Sequence, residues 1–581
     1  MNLFLDGWNA VERHALTLAG ILLLMVWGQL LVHWLLERIF KERCTNTEYH
    51  SLTMVGWVLP VAVWAVFLFL SKNLLGDTAG KILALLLIFI PFVIGFKRMF
   101  RISPPVLGMG TLFIVILVLN FAFLEQAVFP SYFDSAEHYR LIKEILASNQ
   151  FAASNSGNYY HLGYHFVAAA LSDFFNRPII DVMLVFGQVV LSALPFSLFV
   201  IVKQETGSTI AALFTVFAAG LGWHMPAHLL NWGKYPALLG LTIIQFVIVY
   251  LYLFHRHRMA DYRLYLLIGV AVIISTLTHT RTLIVYAFLL VAFLVARLVR
   301  HPSVFKIIFV LVFGVLAVEV FFVWQSDVLR TLVNSYIKND LWMLLVVVAL
   351  FLFAVRSYSA ATFFLISWLT LICLGLFIPV ELSGLGKQTL LDRPFVQMLT
   401  YLPLTIIAGL GLSGLLNLID RFFPSRSLPA HLTGFLFLGL VILNASQNHE
   451  FYPSSCCQFV TRDDLAAIAW SDGNLPPEEK FLIASTSLNV TAFEAPETRT
   501  GVDAGIWLTP LLSRQTILAW QDLSFDLPET HMGICERQID YIYIGGMPQS
   551  FNADQLNGFS DWFQPVFSLP AAKIYRVIGC E

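Results

Sequence analysis

Residues 111–140 form a segment that reads TLFIVILVLNFAFLEQAVFPSYFDSAEHYR. Its first half is almost entirely apolar, whereas the part after residue 124 carries carboxylates, a histidine and an arginine. Together with the apolar residues that precede it, the first half reaches the roughly 20 residues that a helix needs to cross a membrane. The stretch therefore predicts a membrane span, placed at 106–124, that leads directly into an acidic loop.

The composition extends this prediction to the whole chain. Of its 581 residues, 58% are apolar and only 12% are charged, and the mean hydropathy is +0.75. Soluble domains usually carry about 25% charged residues. These values exclude a soluble globular protein, a disordered chain and a nucleic-acid binder with a basic face. They indicate an integral membrane protein built from many helices.

Apolar runs long enough to form helical spans recur along the sequence, and lipid requires every backbone polar group to be bonded within such a helix. We predict fourteen spans, at 15–36, 51–70, 81–96, 106–124, 179–202, 208–222, 237–254, 264–280, 282–299, 305–324, 341–355, 360–379, 395–416 and 431–447.

The basic residues predict how these spans are oriented. One set of alternate loops holds sixteen Lys and Arg residues against six acidic ones, and such loops are usually cytoplasmic. An even number of spans then places the N-terminus and residues 448–581 outside. This tail has seven basic and seventeen acidic residues, a balance of −10, so residues 1–447 carry +8. An acidic tail outside agrees with basic loops inside.

The tail has the ordinary polarity of a soluble domain. Short apolar runs at 481–484, 541–544 and 574–578 predict strands. Residues 463–470 predict a helix with Thr461 as its N-cap. We expect residues 448–581 to form a small α/β domain.

Four of the six cysteines lie in this tail: Cys456, Cys457, Cys535 and Cys580. In an oxidising compartment they would form one or two disulfides. We expect the adjacent Cys456 and Cys457 to bond to other cysteines rather than to each other. The spacing matches no common zinc motif.

The acidic loop is the first candidate site. From Ser135 onward it predicts an amphipathic helix lying in the membrane interface, with Asp134 at its start and Glu137 and His138 one turn later. A carboxylate there could accept a proton from a hydroxyl or bind a metal. The alternative is that Asp134 is an N-cap and Glu137 its capping-box partner.

Two histidines follow, His161 and His165, at a spacing that places them on one face of a helix. The apolar stretch that continues to Phe175 predicts a second interfacial or re-entrant helix, so interfacial helices are expected within 134–175. Two histidines without a third ligand are a weak zinc signal.

The next outer loop contains Trp232, Lys234 and Tyr235. A lysine among aromatic rings suits a phosphate and a sugar ring, although Trp and Tyr also form the ordinary interfacial belt, with Lys snorkelling to the surface.

Arg281 and Arg393 lie at the outer ends of predicted spans, although Lys and Arg are usually enriched on the cytoplasmic side. Arginine matches phosphate geometry, so these two residues and Lys234 could hold a lipid-linked phosphate. Anchoring to lipid headgroups is the alternative.

The layout and motifs of the chain resemble the GT-C superfamily of membrane glycosyltransferases, and in particular uncharacterised bacterial GT-C-like proteins. The resemblance covers roughly residues 105–581. It is carried by the motifs FDSAEHY (133–139), YHLGYH (160–165), WGKYP (232–236), DAGIWL (503–508) and IYRV (574–577).

The resemblance implies an α-helical polytopic membrane protein of about fourteen transmembrane helices with a C-terminal extracytoplasmic α/β domain, located in a bacterial plasma membrane. Residues 1–104 would be an added N-terminal three-helix transmembrane module, 105–447 the GT-C-like core and 448–581 the outer domain. The family's acidic loop usually follows the first span, whereas here it follows the fourth.

The implied activity is inverting transfer of a sugar from a polyprenyl-phosphate donor to a glycan, lipid or protein acceptor outside the cytoplasm, with no nucleic acid involved. Asp134 would be the general base. A divalent metal, Mg or Mn, is possible, but a second acidic motif that would support it is not evident. The implied site residues are Asp134, Glu137 and His138 for catalysis, Lys234, Arg281 and Arg393 for the donor phosphate, and His161, His165, Trp232 and Tyr235 for the substrate.

Two other classes of function remain open. A transporter or flippase of a lipid-linked saccharide would show internal repeats and polar groups at the bilayer midplane, and only Glu319, inside the predicted span 305–324, favours it. A non-catalytic scaffold would leave the placement of Asp134, Lys234, Arg281 and Arg393 without a reason.

Overall fold

Helices form nearly all of the described residues before the tail. The computed structural model describes residues 2–40, 43–99, 104–148, 161–257, 262–298, 314–315, 318–319, 321, 325–382, 386–423, 428–488, 490 and 499–580. Most of the predicted span 305–324 and the first residue of the motif 160–165 lie outside the described residues.

Among the described residues, twelve α-helices lie between the N-terminus and Asn231. They are α1 (Leu3–Arg13), α2 (Ala15–Phe40), α3 (Asn46–Gly56), α4 (Val58–Leu75), α5 (Asp77–Met99), α6 (Pro104–Gln126), α7 (Tyr132–Ser148), α8 (Gly163–Phe175), α9 (Ile179–Ala193), α10 (Leu198–Thr206), α11 (Thr209–Leu221) and α12 (His228–Asn231).

In the part of the chain that the structure describes, seven more helices with defined bounds follow, with a hairpin between the fifth and the sixth. The helices are α13 (Tyr235–Arg256), α14 (Tyr262–Thr278), α15 (Thr282–Leu298), α16 (Asp327–Ser357), α17 (Ser359–Leu374), α18 (Arg393–Phe422) and α19 (Leu428–Asn448). The antiparallel hairpin consists of β1 (Pro379–Leu382) and β2 (Gly386–Thr389), which the sequence did not predict.

Within the described residues, eight helical segments are long and apolar enough to cross a membrane, which makes the chain an integral membrane protein. They are Ala15–Phe40, Val58–Leu75, Pro104–Gln126, Ile179–Thr206, Tyr235–Arg256, Asp327–Ser357, Arg393–Phe422 and Leu428–Asn448. Each contains or overlaps one predicted span.

The N-terminal helices pack directly onto the helices that follow the acidic loop. Trp64 of α4 contacts the ring of Phe174 in α8 at 5.0 Å, and Lys72 pairs with Asp173 at 2.6 Å. Buried apolar residues from Ala10 to Val441 form one continuous core. The helices of residues 1–104 therefore help to hold α8, which lies beside the candidate site.

The tail forms a six-stranded mixed sheet with short helices, as an α/β domain requires. Its helices are α20 (Arg462–Asn474), α21 (Leu508–Leu512), α22 (Pro528–Glu536) and α23 (Ala553–Asn557), and its strands are β3 (Lys480–Ser487), β4 (Arg499–Gly501), β5 (Gln515–Trp520), β6 (Tyr541–Ile544), β7 (Phe563–Leu569) and β8 (Ala572–Val577).

The central strand β3 pairs in parallel with β5 and β6 and antiparallel with β4, and β8 joins β6 to β7. The three predicted strands are confirmed as β3, β6 and β8. The predicted helix is α20, and Thr461 caps it through a capping box with Asp464.

One core of this domain includes a residue from the acidic-loop helix. Ala136 of α7 packs with Trp507, Phe481 and Tyr543, and Phe129 contacts the Trp507 ring at 4.9 Å. The helix α7 therefore lies between the membrane helices and the tail sheet, so the tail determines in part how α7 is held.

The disulfides correct one prediction. Cys535 bonds to Cys580, and Cys456 bonds to its neighbour Cys457. The expectation that Cys456 and Cys457 would each bond elsewhere is wrong, because the other two tail cysteines are joined to each other.

Candidate functional site

The centre of the candidate site is an ion pair between the carboxylate of Asp134 and the ammonium of Lys234. Asp134 lies in the first turn of α7, and Lys234 immediately precedes α13. Their side chains are 20% and 27% exposed. The structure thus brings together the carboxylate and one of the cations that the sequence singled out.

Gly233 allows the lysine loop to approach the start of α7. Its φ is +63°, and a Cβ added there would lie 2.3 Å from Ser135 Oγ and 2.7 Å from the Ser131 carbonyl oxygen. Only glycine combines this left-handed backbone with so close an approach. The glycine in the motif WGKYP therefore positions Lys234 against Asp134.

A second ion pair lies beside the first. Arg281 Nη1 is 2.6 Å from Asp392 Oδ2, and the other Asp392 oxygen caps α18 by accepting the Phe395 N–H at 2.9 Å. Burial lowers the pKa of Lys234, but the charges of Asp134 and Asp392 outweigh it and the net shift is upward. Asp392 is thus a second carboxylate close to Lys234.

Sequence reasoning missed Asp392. It stands next to Arg393 at the start of a predicted span, and an acidic residue before a Pro-containing first turn is a typical N-cap. That local pattern can be read from the sequence. The pairing of Asp392 with Arg281, 111 residues away in sequence, cannot.

Arg393 is the third cation, and no ion pair involves it among the described residues. Its guanidinium lies over the Trp232 ring, 5.9 Å from the centroid. Its backbone N–H donates to the Val490 carbonyl of the tail at 2.9 Å. A cation stacked on an aromatic ring in this way remains available to an anion.

Tyr132 connects these charges to the tail. Its φ is +64°, and its backbone N–H donates to the Cys457 carbonyl at 2.9 Å. Burial raises the pKa of its hydroxyl, Asp134 raises it further, and Lys234 and Arg393 oppose that rise. These charges therefore surround one tyrosine. We call Asp134, Lys234, Arg281, Asp392 and Arg393 the charge cluster.

Burial also raises the pKa of Asp134. The pairing with Lys234 lowers this pKa, whereas the charge of the nearby Asp392 raises it further. The net shift is upward. A carboxylate with a raised pKa is a better proton acceptor than an ordinary aspartate.

The histidines divide into two groups. His138 Nδ1 is 3.0 Å from His165 Nε2, and both rings are buried, so this pair joins α7 to α8. His161 packs on His279 with ring centroids 4.4 Å apart. Burial, followed by the charges of Arg281 and Lys234, lowers the pKa of His161 to about 4, so His161 borders the charge cluster.

Two predicted site residues lie elsewhere. Glu137 is about half exposed and pairs with Arg140 on the same helix. Tyr235 is 2% exposed and stacks on Tyr164 in the core. The alternative in which Asp134 is an N-cap with Glu137 as its capping-box partner is wrong, because α7 begins at Tyr132 and places Asp134 inside the first turn.

The charge cluster does not fit the divalent metal that the family resemblance allows. The ammonium of Lys234 already contacts the Asp134 carboxylate, in the position that a metal ion would need. In the described part of the chain, three possible ligand atoms come within 4.8 Å of one another only at His531, Cys535 and Cys580. Two of those three are bonded as a disulfide.

A functional assignment rests on the chemistry of the site, because similarity to known proteins does not supply one. No protein-family model matches the chain, and no curated protein sequence matches it.

Proposed function

We propose that the protein is an inverting glycosyltransferase that moves a sugar from a polyprenyl-phosphate donor to an acceptor hydroxyl. One observation carries this proposal: a carboxylate with a raised pKa lies in a cluster of three cations and two acids, which has a net charge of +1. A transfer reaction in which a phosphate is the leaving group needs this combination of a proton acceptor and positive charge.

Asp134 is the general base in this proposal. It accepts the proton of the acceptor hydroxyl as that oxygen attacks the anomeric carbon, and the bond from this carbon to the phosphate oxygen breaks. The paired Lys234 acts as a gate: a phosphate that draws Lys234 away leaves the Asp134 carboxylate free to accept a proton. Donor binding then activates the base.

Arg393 holds the donor phosphate most directly, since no carboxylate among the described residues forms an ion pair with it and its guanidinium lies over the Trp232 ring. Arg281 forms an ion pair with Asp392 and contributes to phosphate binding after this ion pair loosens. Negative charge develops on the departing phosphate, which is where positive side chains lower the barrier. Trp232, with its ring beneath Arg393, offers a face for the sugar ring.

The remaining candidates support the site rather than touch substrate. His138 and His165 fix α7 against α8, and Tyr235 belongs to the core. His161 is the exception, because it borders Arg281 and Lys234 and can contact a donor or an acceptor. Glu137 retains its Arg140 partner and has no part in the step.

The proposed topology has fourteen spans, with the basic loops in the cytoplasm of a bacterial cell and the N-terminus and tail outside. The tail then covers the outer face of the site, since Tyr132 and Arg393 both donate backbone hydrogen bonds to it. Lys143 Nζ adds a bond to the Pro510 carbonyl at 3.0 Å. The tail would thus help to shape the acceptor side of the site.

The second candidate function is transport of a lipid-linked saccharide. It is favoured by Glu319, whose side chain is buried and whose Oε1 has no hydrogen-bond partner among the described residues. Ionisable groups within spans often lie on transport pathways. The charge cluster, however, gathers a base and phosphate-binding cations at one place, which transport does not need.

The test is sugar transfer by the Asp134→Asn variant in liposomes, with a radiolabelled hexose on polyprenyl phosphate as donor and membrane extract as the source of acceptor. We expect transfer to fall by about 10²- to 10⁴-fold, the range that general-base catalysis contributes. Glu137→Gln, one turn along α7, is the matched control and should retain activity. Equal activity in Asp134→Asn and wild type would contradict the assignment.

A further inference from the structure

A second group of polar residues lies outside the charge cluster and joins the loop after α11 to α16. Ser335 Oγ is 3.2 Å from His224 Nε2. The other ring nitrogen, His224 Nδ1, bonds to the carboxylate of Asp340. The same carboxylate accepts the backbone N–H of His224 at 2.8 Å through its second oxygen. The proposed glycosyl transfer uses none of these three residues.

The hydrogen bonds fix how the imidazole is protonated. Asp340 accepts from Nδ1, so the proton of a neutral His224 ring sits on that nitrogen and Nε2 carries the lone pair. The amide nitrogen of Gln397 lies 3.3 Å from Nε2 and 2.6 Å from Ser335 Oγ, and an amide N–H can only donate. Nε2 is therefore the proton acceptor that faces the serine hydroxyl.

The fold holds the base and leaves the hydroxyl within reach. The side chains of His224 and Asp340 are 1% and 0% exposed, whereas Ser335 is only partly buried. Asp340 lies five residues after Ser335, where α16 is interrupted by a non-helical residue at φ −126° and ψ 21°. Tyr336 packs edge-on against the His224 ring with centroids 5.0 Å apart. A ring held by a buried carboxylate and an aromatic neighbour is oriented before any substrate arrives.

We propose that Ser335, His224 and Asp340 form a second catalytic site, one that transfers or hydrolyses the acyl group of an ester. Ser335 is the nucleophile, His224 the general base and Asp340 the residue that orients the base and stabilises its charged form. This is the nucleophile, base and orienting-acid arrangement that unrelated folds use for acyl transfer.

Ser335 Oγ forms a bond to the carbonyl carbon of the ester while His224 Nε2 takes the hydroxyl proton. The negative charge resides on the former carbonyl oxygen, which lies two bonds from Oγ and within reach of the Gln397 amide. The carbon–oxygen bond to the alcohol then breaks, and His224 returns the proton to the departing alkoxide. Water or a second alcohol releases the acyl group by the same steps in reverse.

The surroundings point to an ester with an apolar acyl chain. The helix that carries Ser335 exposes Ile337, Leu341 and Trp342 at 46%, 47% and 63% within two turns of the serine. Exposed apolar side chains on a membrane helix face lipid tails. An acyl chain presented from the bilayer could lie along them, whereas a free polar ester gains nothing from them.

The experiment is labelling of the full-length protein in liposomes with an alkyl fluorophosphonate, which phosphonylates an activated serine with loss of fluoride. Peptide mapping by mass spectrometry identifies the labelled residue. We expect the label on Ser335 and its loss in Ser335→Ala. Thr331→Ala, one turn earlier on the same helix, is the matched control and should label at the wild-type rate.

His224→Gln and Asp340→Asn should slow labelling by about 10²-fold or more, because they remove the base or its correct protonation. Their folding is checked by gel filtration and thermal stability, and an unfolded variant is replaced by Gln397→Ala, which is expected to slow labelling less. Hydrolysis of p-nitrophenyl octanoate should follow the same order. The proposal is overturned if Ser335 in folded wild-type protein takes no label, or labels equally fast in folded His224→Gln.

Discussion

Asp134 and Lys234, one hundred residues apart in sequence, form an ion pair at the start of α7, where the membrane helices meet the tail. The pair is only partly exposed, so its charges are poorly screened by water. Removing one partner should therefore affect stability more than removing both.

Lys234→Met leaves the Asp134 carboxylate without its partner and should destabilise the protein by about 1–3 kcal/mol. The double variant Asp134→Asn with Lys234→Met should recover part of this loss. Urea titration of the four proteins in detergent measures the coupling, which we expect to be about 1 kcal/mol or more. Strictly additive effects would show that the two side chains do not interact in the folded protein.

Gly233→Ala should disrupt the site, because the new Cβ would meet Ser135 Oγ at 2.3 Å and the backbone has a positive φ. Gly207 is a matched control: its φ is +74°, but a Cβ there meets nothing within 4 Å of it. Gly207→Ala therefore carries only the backbone strain, about 1 kcal/mol. Thermal unfolding of the two variants compares them, and equal losses would mean that the close approach at Gly233 is unimportant.

Arg393→Gln should weaken binding of polyprenyl phosphate by about tenfold to a hundredfold, the effect of losing a hydrogen bond to a charged group. Quenching of tryptophan fluorescence measures this affinity, and Trp232 lies beneath the guanidinium as a local reporter. Arg140→Gln is the control, since Glu137 and Glu144 already engage that arginine. Similar losses in both variants would indicate a non-specific charge effect.

Acid should destabilise the packing of α7 against α8. Burial lowers the pKa of His165 to about 3, whereas an unfolded histidine titrates near 6.5. Between pH 3 and pH 6.5 the unfolded chain binds more protons than the folded protein. The stability that the neutral, buried His165 contributes is therefore fully present above pH 6.5 and declines as the pH falls. At pH 5 the loss is about 2 kcal/mol.

Melting temperatures from pH 7.5 to 5 measure this loss, and His165→Gln should show a shallower decline than the wild type. A variant whose melting temperature falls as steeply as that of the wild type would show that His165 is not the group responsible.

The sequence predicted those parts of the site that depend on local pattern. The amphipathic spacing after Asp134 marked α7, though the helix starts three residues earlier, and the Thr461 cap followed from the residues beside it. Two of the predicted side chains, Asp134 and Lys234, do meet. Chain-local periodicity determines the helix and its cap, so these two features are readable without the fold.

Contacts between distant segments were not readable. Arg281 and Asp392 are 111 residues apart, and His224 and Asp340 are 116 apart. Neither pair has a spacing that a local pattern constrains. A lone carboxylate such as Asp340 at the edge of an apolar run was the available sign, because a buried charge in a membrane protein needs a partner.

Glycosyl transfer is tested most directly by incubation of purified protein in liposomes with radiolabelled hexoses on polyprenyl phosphate and membrane extract as acceptor. We expect release of polyprenyl phosphate together with a labelled product whose anomeric configuration is inverted relative to the donor. Movement of intact donor between the leaflets, with no polyprenyl phosphate released, would contradict glycosyl transfer and support transport.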